Sequence, residues 1–110
     1  MSYNFYEQVY EIARLIPKGR VTSYGAIAKS LGAAKSSRMV GTAMSVSHLA
    51  SPSVPAHRVV NHCGLLTGRF HFNPPELMEE LLLKENIKVE DNKIVDFKTL
   101  FWNPMDEITI

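Results

Sequence analysis

The chain has a single cysteine, Cys63, so it can form no internal disulfide. That fits a reducing compartment such as the cytosol. No apolar run approaches the roughly 18 residues that a membrane span needs. The first residues, Met1-Ser2-Tyr3-Asn4, lack the basic stretch and apolar run of a signal peptide. Metal-type spacing is missing as well. His57, His62, Cys63 and His71 lie close in sequence, but no pair has the short CxxC or HxxxH spacing that puts two ligands on one turn. No metal and no cofactor is expected. No internal repeat or low-complexity segment is present.

The most informative absence is of negative charge. From Ile12 to Pro75 there is no Asp or Glu, while Arg14, Lys18, Arg20, Lys29, Lys35, Arg38, Arg58 and Arg69 fall in that stretch. The acids gather later, at Glu76, Glu79, Glu80, Glu85, Glu90, Asp91, Asp96, Asp106 and Glu107. The net charge of +1 hides this split. A basic first part suggests an anionic partner, with nucleic acid the first candidate. A surface whose charges balance in three dimensions is the alternative.

What is present reads as one domain, residues 1–110, large enough for a single core. Phe5, Val9, Ile12, Ala13 and Ile16 recur at spacings of three and four, so Tyr3 to Ile16 is predicted to be an amphipathic helix. Pro17 and Gly19 end it. Ser23 can cap a second helix that runs through Leu31, with Ala26, Ile27 and Leu31 inward and Gly32 as the stop. A third helix is predicted from Ser36 or Ser37 to Val46, its apolar face formed by Met39, Val40, Ala43 and Met44. Two short helices joined by a tight turn with glycine make a helix-turn-helix. The second would be the recognition helix, with Ser36, Ser37 and Arg38 at its leading end and Gly41 keeping one side slim.

Arg58-Val59-Val60 and Leu65-Leu66 are predicted to form a small hairpin. A loop with aromatic and basic residues follows, from Thr67 to Pro74. A fourth helix spans Pro75 to Glu85, with Leu77, Leu81 and Leu82 inward. Ile87-Lys88-Val89 and Lys93-Ile94-Val95 form a second hairpin, and Leu100-Phe101-Trp102 pins the tail. The expected fold is mainly α with small β hairpins, a winged helix-turn-helix in a single domain.

Two stretches invite a chemical reading. Cys63 beside His62 could be a nucleophile, but adjacent turn residues usually point apart. Nothing in the sequence supplies the base or helix N-terminus that activates a thiol. Pro55-Ala56-His57-Arg58-Val59-Val60 is a rigid turn that enters a strand, a place where side chains are held still. Its centre, Ala56, carries only a methyl group.

That stretch resembles the Pro-Cys-His-Arg-Val active-site motif of the O6-alkylguanine-DNA alkyltransferase family, and more closely its alkyltransferase-like members, which lack the cysteine. Val21-Thr22-Ser23-Tyr24-Gly25-Ala26-Ile27-Ala28 is similar to the family's helix-turn-helix entry. Arg38-Met39-Val40-Gly41-Thr42-Ala43-Met44 is similar to its recognition helix. Leu82-Leu83-Lys84-Glu85-Asn86 falls where the family has a helix ending in glutamate. Phe101-Trp102-Asn103-Pro104 resembles the tail of alkyltransferase-like proteins.

The resemblance implies roles. Tyr24 would push on the phosphate beside a damaged nucleotide. Arg38 would enter the duplex and replace the extruded base, with Ser36, Ser37 and Gly41 along the same helix. Pro55, Ala56, Arg58, Val59 and Arg69 would bound the lesion pocket. Ala56, His57 and Glu85 would be vestiges of the catalytic set, since a methyl group cannot accept an alkyl group. The implied function is non-enzymatic binding of double-stranded DNA that contains O6-alkylguanine, by minor-groove insertion and base flipping. Nucleotide excision repair proteins would be possible partners. The protein would be a monomer, cytoplasmic (nucleoid-associated in a bacterium) and away from membranes. Two alternatives stay open: a sequence-specific winged-helix regulator, and a Cys-to-Ala variant of an active alkyltransferase domain.

Overall fold

The first helix, α1 (Phe5–Arg14), starts at Asn4, whose side-chain oxygen accepts from the Glu7 N–H at 2.9 Å. The computed structural model describes residues 4–108. The predicted start at Tyr3 lies outside them. Val9 and Ala13 on α1, and Ile16 just after it, are buried as the spacing predicts, and so is Tyr10, whose hydroxyl donates to the Ala43 carbonyl at 2.7 Å. Ser23 caps α2 (Tyr24–Ser30) by accepting from the Ala26 N–H at 3.1 Å. Gly32 adopts φ +73° and turns the chain, the left-handed geometry that favours glycine. After this turn comes α3 (Ser37–Ser45). Val40, Ala43 and Met44 of α3 face the core. Met39, expected inward, is 49% exposed, because it sits on the far flank of the helix from Val40.

Two strands form the hinge of the architecture. β1 (Thr22–Ser23) and β2 (Val59–Val60) pair in parallel, Thr22 opposite Val59 and Ser23 opposite Val60. The predicted hairpin between Arg58–Val60 and Leu65–Leu66 is therefore corrected. Val59 and Val60 are both fully buried, and their side chains leave the strand on opposite faces. Both faces then need cover, which a solvent-edge hairpin cannot give. Val59 joins a cluster with Val9, Ala13, Ile27, Val40, Ala43 and Trp102. Val60 joins a second cluster with Val21, Leu66, Met78, Leu82, Ile87 and Ile94. The turn after β2 is closed by the Asn61 side chain, which accepts from the Cys63 and Leu65 N–H groups.

The second cluster is covered by α4 (Leu77–Leu83) and a hairpin of β3 (Val89–Glu90) and β4 (Lys93–Ile94). On α4 the buried residues are Met78 and Leu82. Leu77, expected inward, is only half-buried. The Leu65-Leu66 segment belongs to this part: Leu65 bridges Lys93, and the Leu66 N–H donates to the Asn92 carbonyl. The stretch predicted to be a loop holds a 3-10 turn, Thr67–His71. Two short helices not predicted, α5 (Phe97–Leu100) and α6 (Pro104–Glu107), carry the tail. Trp102 is buried, and its N–H donates to the Val21 carbonyl at 2.7 Å. Arg20 clamps the same tail through the Leu100 and Phe101 carbonyls at 2.9 and 2.7 Å. The fold is a mainly helical winged helix-turn-helix with two small sheets. No helix of the described residues is long and apolar enough to cross a membrane.

Candidate nucleic-acid interface

A groove of about 770 Å³ opens between the helix-turn-helix and the segment from Val54 to Phe72. One wall is α2 and α3. Tyr24, Gly25, Ser37, Arg38, Gly41, Thr42 and Ser45 line it. Tyr24 stands at the first position of α2, where the Ser23 cap fixes the helix entry. Burial pushes its phenol pKa up, so the hydroxyl keeps its proton at neutral pH. A Cβ on Gly41 would lie 4.0 Å from the Tyr24 ring. A Cβ on Gly68 would stand only 2.8 Å from the Tyr24 hydroxyl oxygen. Arg38 is exposed, and no hydrogen bond holds its guanidinium among the described residues.

The other wall is irregular. Val54, Ala56, His57, Asn61, His62, Thr67, Gly68, His71 and Phe72 line it, with Leu81 of α4 behind. Ala56 begins a 3-10 turn, Ala56–Arg58, set up by Pro55 and followed directly by β2. Its methyl group lines the groove.

Behind Ala56 lies a tightly bonded cluster. Glu85 follows α4, and its carboxylate accepts from His57 Nε2 at 2.7 Å, from Arg58 Nη2 at 2.8 Å and from the Gly19 N–H at 2.9 Å. Arg58 Nε adds bonds to both oxygens, and its Nη1 donates to the Ile16 carbonyl at 2.9 Å. The Glu85 side chain is 7% exposed. Burial opposes its charge, but the donors from Arg58, His57 and Gly19 outweigh that and hold the carboxyl at about 2. For His57 burial wins: its pKa is lowered in spite of the Glu85 carboxylate. The ring is neutral at neutral pH, so Nε2 carries the proton it shares with Glu85. Gly19, in the turn between α1 and β1, adopts φ +88° and presents its N–H to Glu85.

The structure brings only part of the anticipated site together. Tyr24, Ser37, Arg38, Gly41, Ala56 and His57 share the groove. Ser36 is half-buried at the cap position of α3, makes no side-chain cap bond and does not line the groove. Pro55, Arg58, Val59 and Arg69 are not among the lining residues either. Val59 is core. Arg58 faces Glu85, and with Pro55, Arg14, Ser53, Val54 and His57 it borders a separate cavity of about 410 Å³. Arg69 donates to the Leu66 carbonyl at 3.0 Å, and its guanidinium lies 4.4 Å from the centre of the Phe70 ring. Cys63 is exposed in its turn, and no group of three His, Cys, Asp or Glu among the described residues could hold a metal ion. Reading the sequence did not single out Thr42, His48, Asn61, Gly68 or Phe72 as groove residues. Of these, His48 alone carries a signal, as one of four histidines inside the acid-free stretch.

Comparison with known proteins identifies the family. The family model for the 6-O-methylguanine DNA methyltransferase DNA-binding domain matches residues 4–87. Alkyltransferase-like protein 1 of Schizosaccharomyces pombe is 31% identical over 104 residues, which cover 91% of this chain and 95% of that protein. The DNA base-flipping protein of Escherichia coli is 32% identical over 102 residues, covering 91% of this chain and 75% of its own length. A crystal structure of the Schizosaccharomyces pombe alkyltransferase-like protein, in complex with damaged DNA containing O6-carboxymethylguanine, superposes with a TM-score of 0.76 at 30% identity, covering 89% of this chain and 94% of that one. The chain belongs to the 6-O-methylguanine DNA methyltransferase family, through its DNA-binding domain, and is similar to the alkyltransferase-like proteins.

Proposed function

We propose that this protein binds duplex DNA, takes an O6-alkylated guanine out of the stack into the groove, and leaves its alkyl group in place. One observation carries the reading: at the groove wall, next to the bonded set of His57, Arg58 and Glu85, stands the methyl of Ala56. The frame that would hold a reactive group is intact, and no atom at that position can attack an alkyl carbon. The relative bound to O6-carboxymethylguanine DNA and the base-flipping relative support the same reading.

Arg38 is the residue that fills the gap in the duplex. Extruding a base costs about a few kcal/mol of stacking and pairing, which a planar guanidinium placed in the gap partly offsets. Gly41 and the small face of α3 suit close approach to a minor groove, where readout is degenerate and a lesion can be met in any sequence. Tyr24, its hydroxyl protonated, is placed to press on a backbone phosphate. Arg69 acts on the extruded base only after leaving the Phe70 ring. Without a chemical exit the lesion stays bound and marked. The protein then works as a monomer that hands the site to nucleotide excision repair, alongside the chromosome in the cytoplasm or nucleoid.

The test is paired binding to an O6-methylguanine duplex and its undamaged twin, with mass spectrometry of the protein afterwards. Tighter binding to the damaged duplex and an unchanged protein mass are expected. Equal affinity for both duplexes would refute lesion recognition. An added methyl group would show an enzyme that uses another acceptor. Enrichment of one motif from random duplexes would show a sequence-specific regulator instead.

A further inference from the structure

We propose that His48, His62 and His71 are phosphate-contact residues, and that their charge ties DNA affinity to pH. The inference rests on the DNA reading of the groove and adds residues to it. The chain has four histidines, and all four line this groove. They arrive on separate segments: the 3-10 turn Ser47–Leu49, the turn Ala56–Arg58, the tight turn after β2, and the turn Thr67–His71.

His57 differs from the rest. It is half-buried and bonded to Glu85, which makes it part of the frame. The other three are exposed. No three of these groups come close enough to share a metal ion. Donors spread along a groove suit an extended polyanion better than a single small ion.

The charged surroundings favour the same ligand. Arg38 is the one arginine or lysine that lines the groove, and no Asp or Glu lines it. Tyr24 faces it from α2 with its proton in place. Leu81 is the contribution of α4, whose Glu79 and Glu80 lie outside the lining. Glu85 and Arg58 sit behind His57, paired with each other. Arg69 shares a turn with His71 but is stacked on Phe70.

A neutral imidazole offers one N–H donor, and a protonated one offers two donors and a positive charge. Histidine is the side chain whose charge responds to pH in the physiological range. Nearby phosphates favour the charged form, so the complex takes up protons as it forms. Each cationic contact also releases counterions and adds about 0.9 to the salt slope of binding.

The experiment measures the anisotropy of a labelled O6-methylguanine duplex with the full chain at pH 6 and pH 8, at fixed ionic strength. Circular dichroism verifies the fold at both values. Affinity is expected to fall about tenfold from pH 6 to pH 8, and the slope of log affinity against log salt to shrink by about one to two. In the triple variant His48→Gln, His62→Gln, His71→Gln the ratio between the two pH values should drop to within about twofold. Wild-type binding that is flat with pH, with an unchanged salt slope, would overturn the proposal without any variant. So would a pH dependence that survives in the triple variant. A protein that binds neither duplex at any pH overturns the DNA reading itself, an outcome distinct from pH-flat binding.

Discussion

Arg38, which lines the groove, and Arg58, which lies behind it on Glu85, show how differently the mouth and the frame are built. Arg38 stands on the exposed face of a regular helix with no hydrogen bond to its guanidinium among the described residues. Arg58 is tied to Glu85 through two nitrogens and to the Ile16 carbonyl through a third. One guanidinium is free to enter something else, and the other holds Ala56 and His57 where they are. A cation with no internal partner can be removed at little cost to the fold. A cation that fixes a buried carboxylate cannot. The comparison separates binding from stability, and Glu85→Ala and Arg38→Ala should each chiefly move one of the two.

The largest effect belongs to the frame. Glu85→Ala leaves Arg58 and the Gly19 N–H without their acceptor in a site that water reaches poorly. The expected loss is about 3 kcal/mol in urea unfolding, the range for removing one partner of a largely buried ion pair. The same group sets an acid limit. Its folded pKa of about 2 lies below its ordinary value of 4.5. Its contribution is therefore complete above pH 4.5 and lost as pH falls toward about 2. His57, with its pKa lowered, acts earlier: the unfolded chain takes up that proton first, so stability starts to erode as pH drops below 6.5. Melting temperature against pH should show a shallow decline followed by a steep one, and Glu85→Gln should remove the steep part. A Glu85→Gln profile that matches the wild type would show that the cluster does not carry this linkage.

Arg38→Ala tests the other side of the comparison. Binding to an O6-methylguanine duplex is expected to weaken about ten- to a hundredfold, with unfolding changed by less than about 0.5 kcal/mol. Unchanged affinity would remove Arg38 from the duplex. A large loss of stability would mean that it, like Arg58, serves the frame.

The same contrast explains what could be read from the sequence. The helix-turn-helix was legible because its signals are local: a serine cap at Ser23, glycine at Gly32, and apolar residues at helical spacing on α1 and α3. The helix pattern put Ser37, Arg38 and Gly41 on one wall of the groove, and Tyr24, which the family resemblance alone picked out, lines the same wall. Local patterns cannot report a pairing between distant segments. Val59-Val60 looked like half of a hairpin, but its partner lies across the core at Thr22-Ser23. The bond that aims Arg58 away from the groove comes from Glu85, far along the chain. Arg69 was assigned to the pocket by family resemblance, whereas a neighbour in sequence, Phe70, takes up its guanidinium. The second wall follows no period, so Asn61, Gly68 and Phe72 become groove residues only once the chain has folded.

Gly68→Ala gives the smallest and most pointed change, because it reaches binding through a single displaced side chain. A Cβ at Gly68 would stand 2.8 Å from the Tyr24 hydroxyl oxygen, which is too close for both to remain. The atom displaced is the tip of a side chain that borders open groove, so Tyr24 can move aside at a cost of less than about 1 kcal/mol in stability. Binding depends on where that hydroxyl points. The expected loss is about fivefold in affinity for the damaged duplex, since a hydrogen bond from the hydroxyl to a phosphate is worth about 1 kcal/mol. Tyr24→Phe removes the same donor without moving the ring. If the displaced hydroxyl is the cause, adding Gly68→Ala to Tyr24→Phe should cost almost nothing more. A double variant that loses the full sum of the two single effects would place the role of Gly68 in the second wall itself, apart from Tyr24.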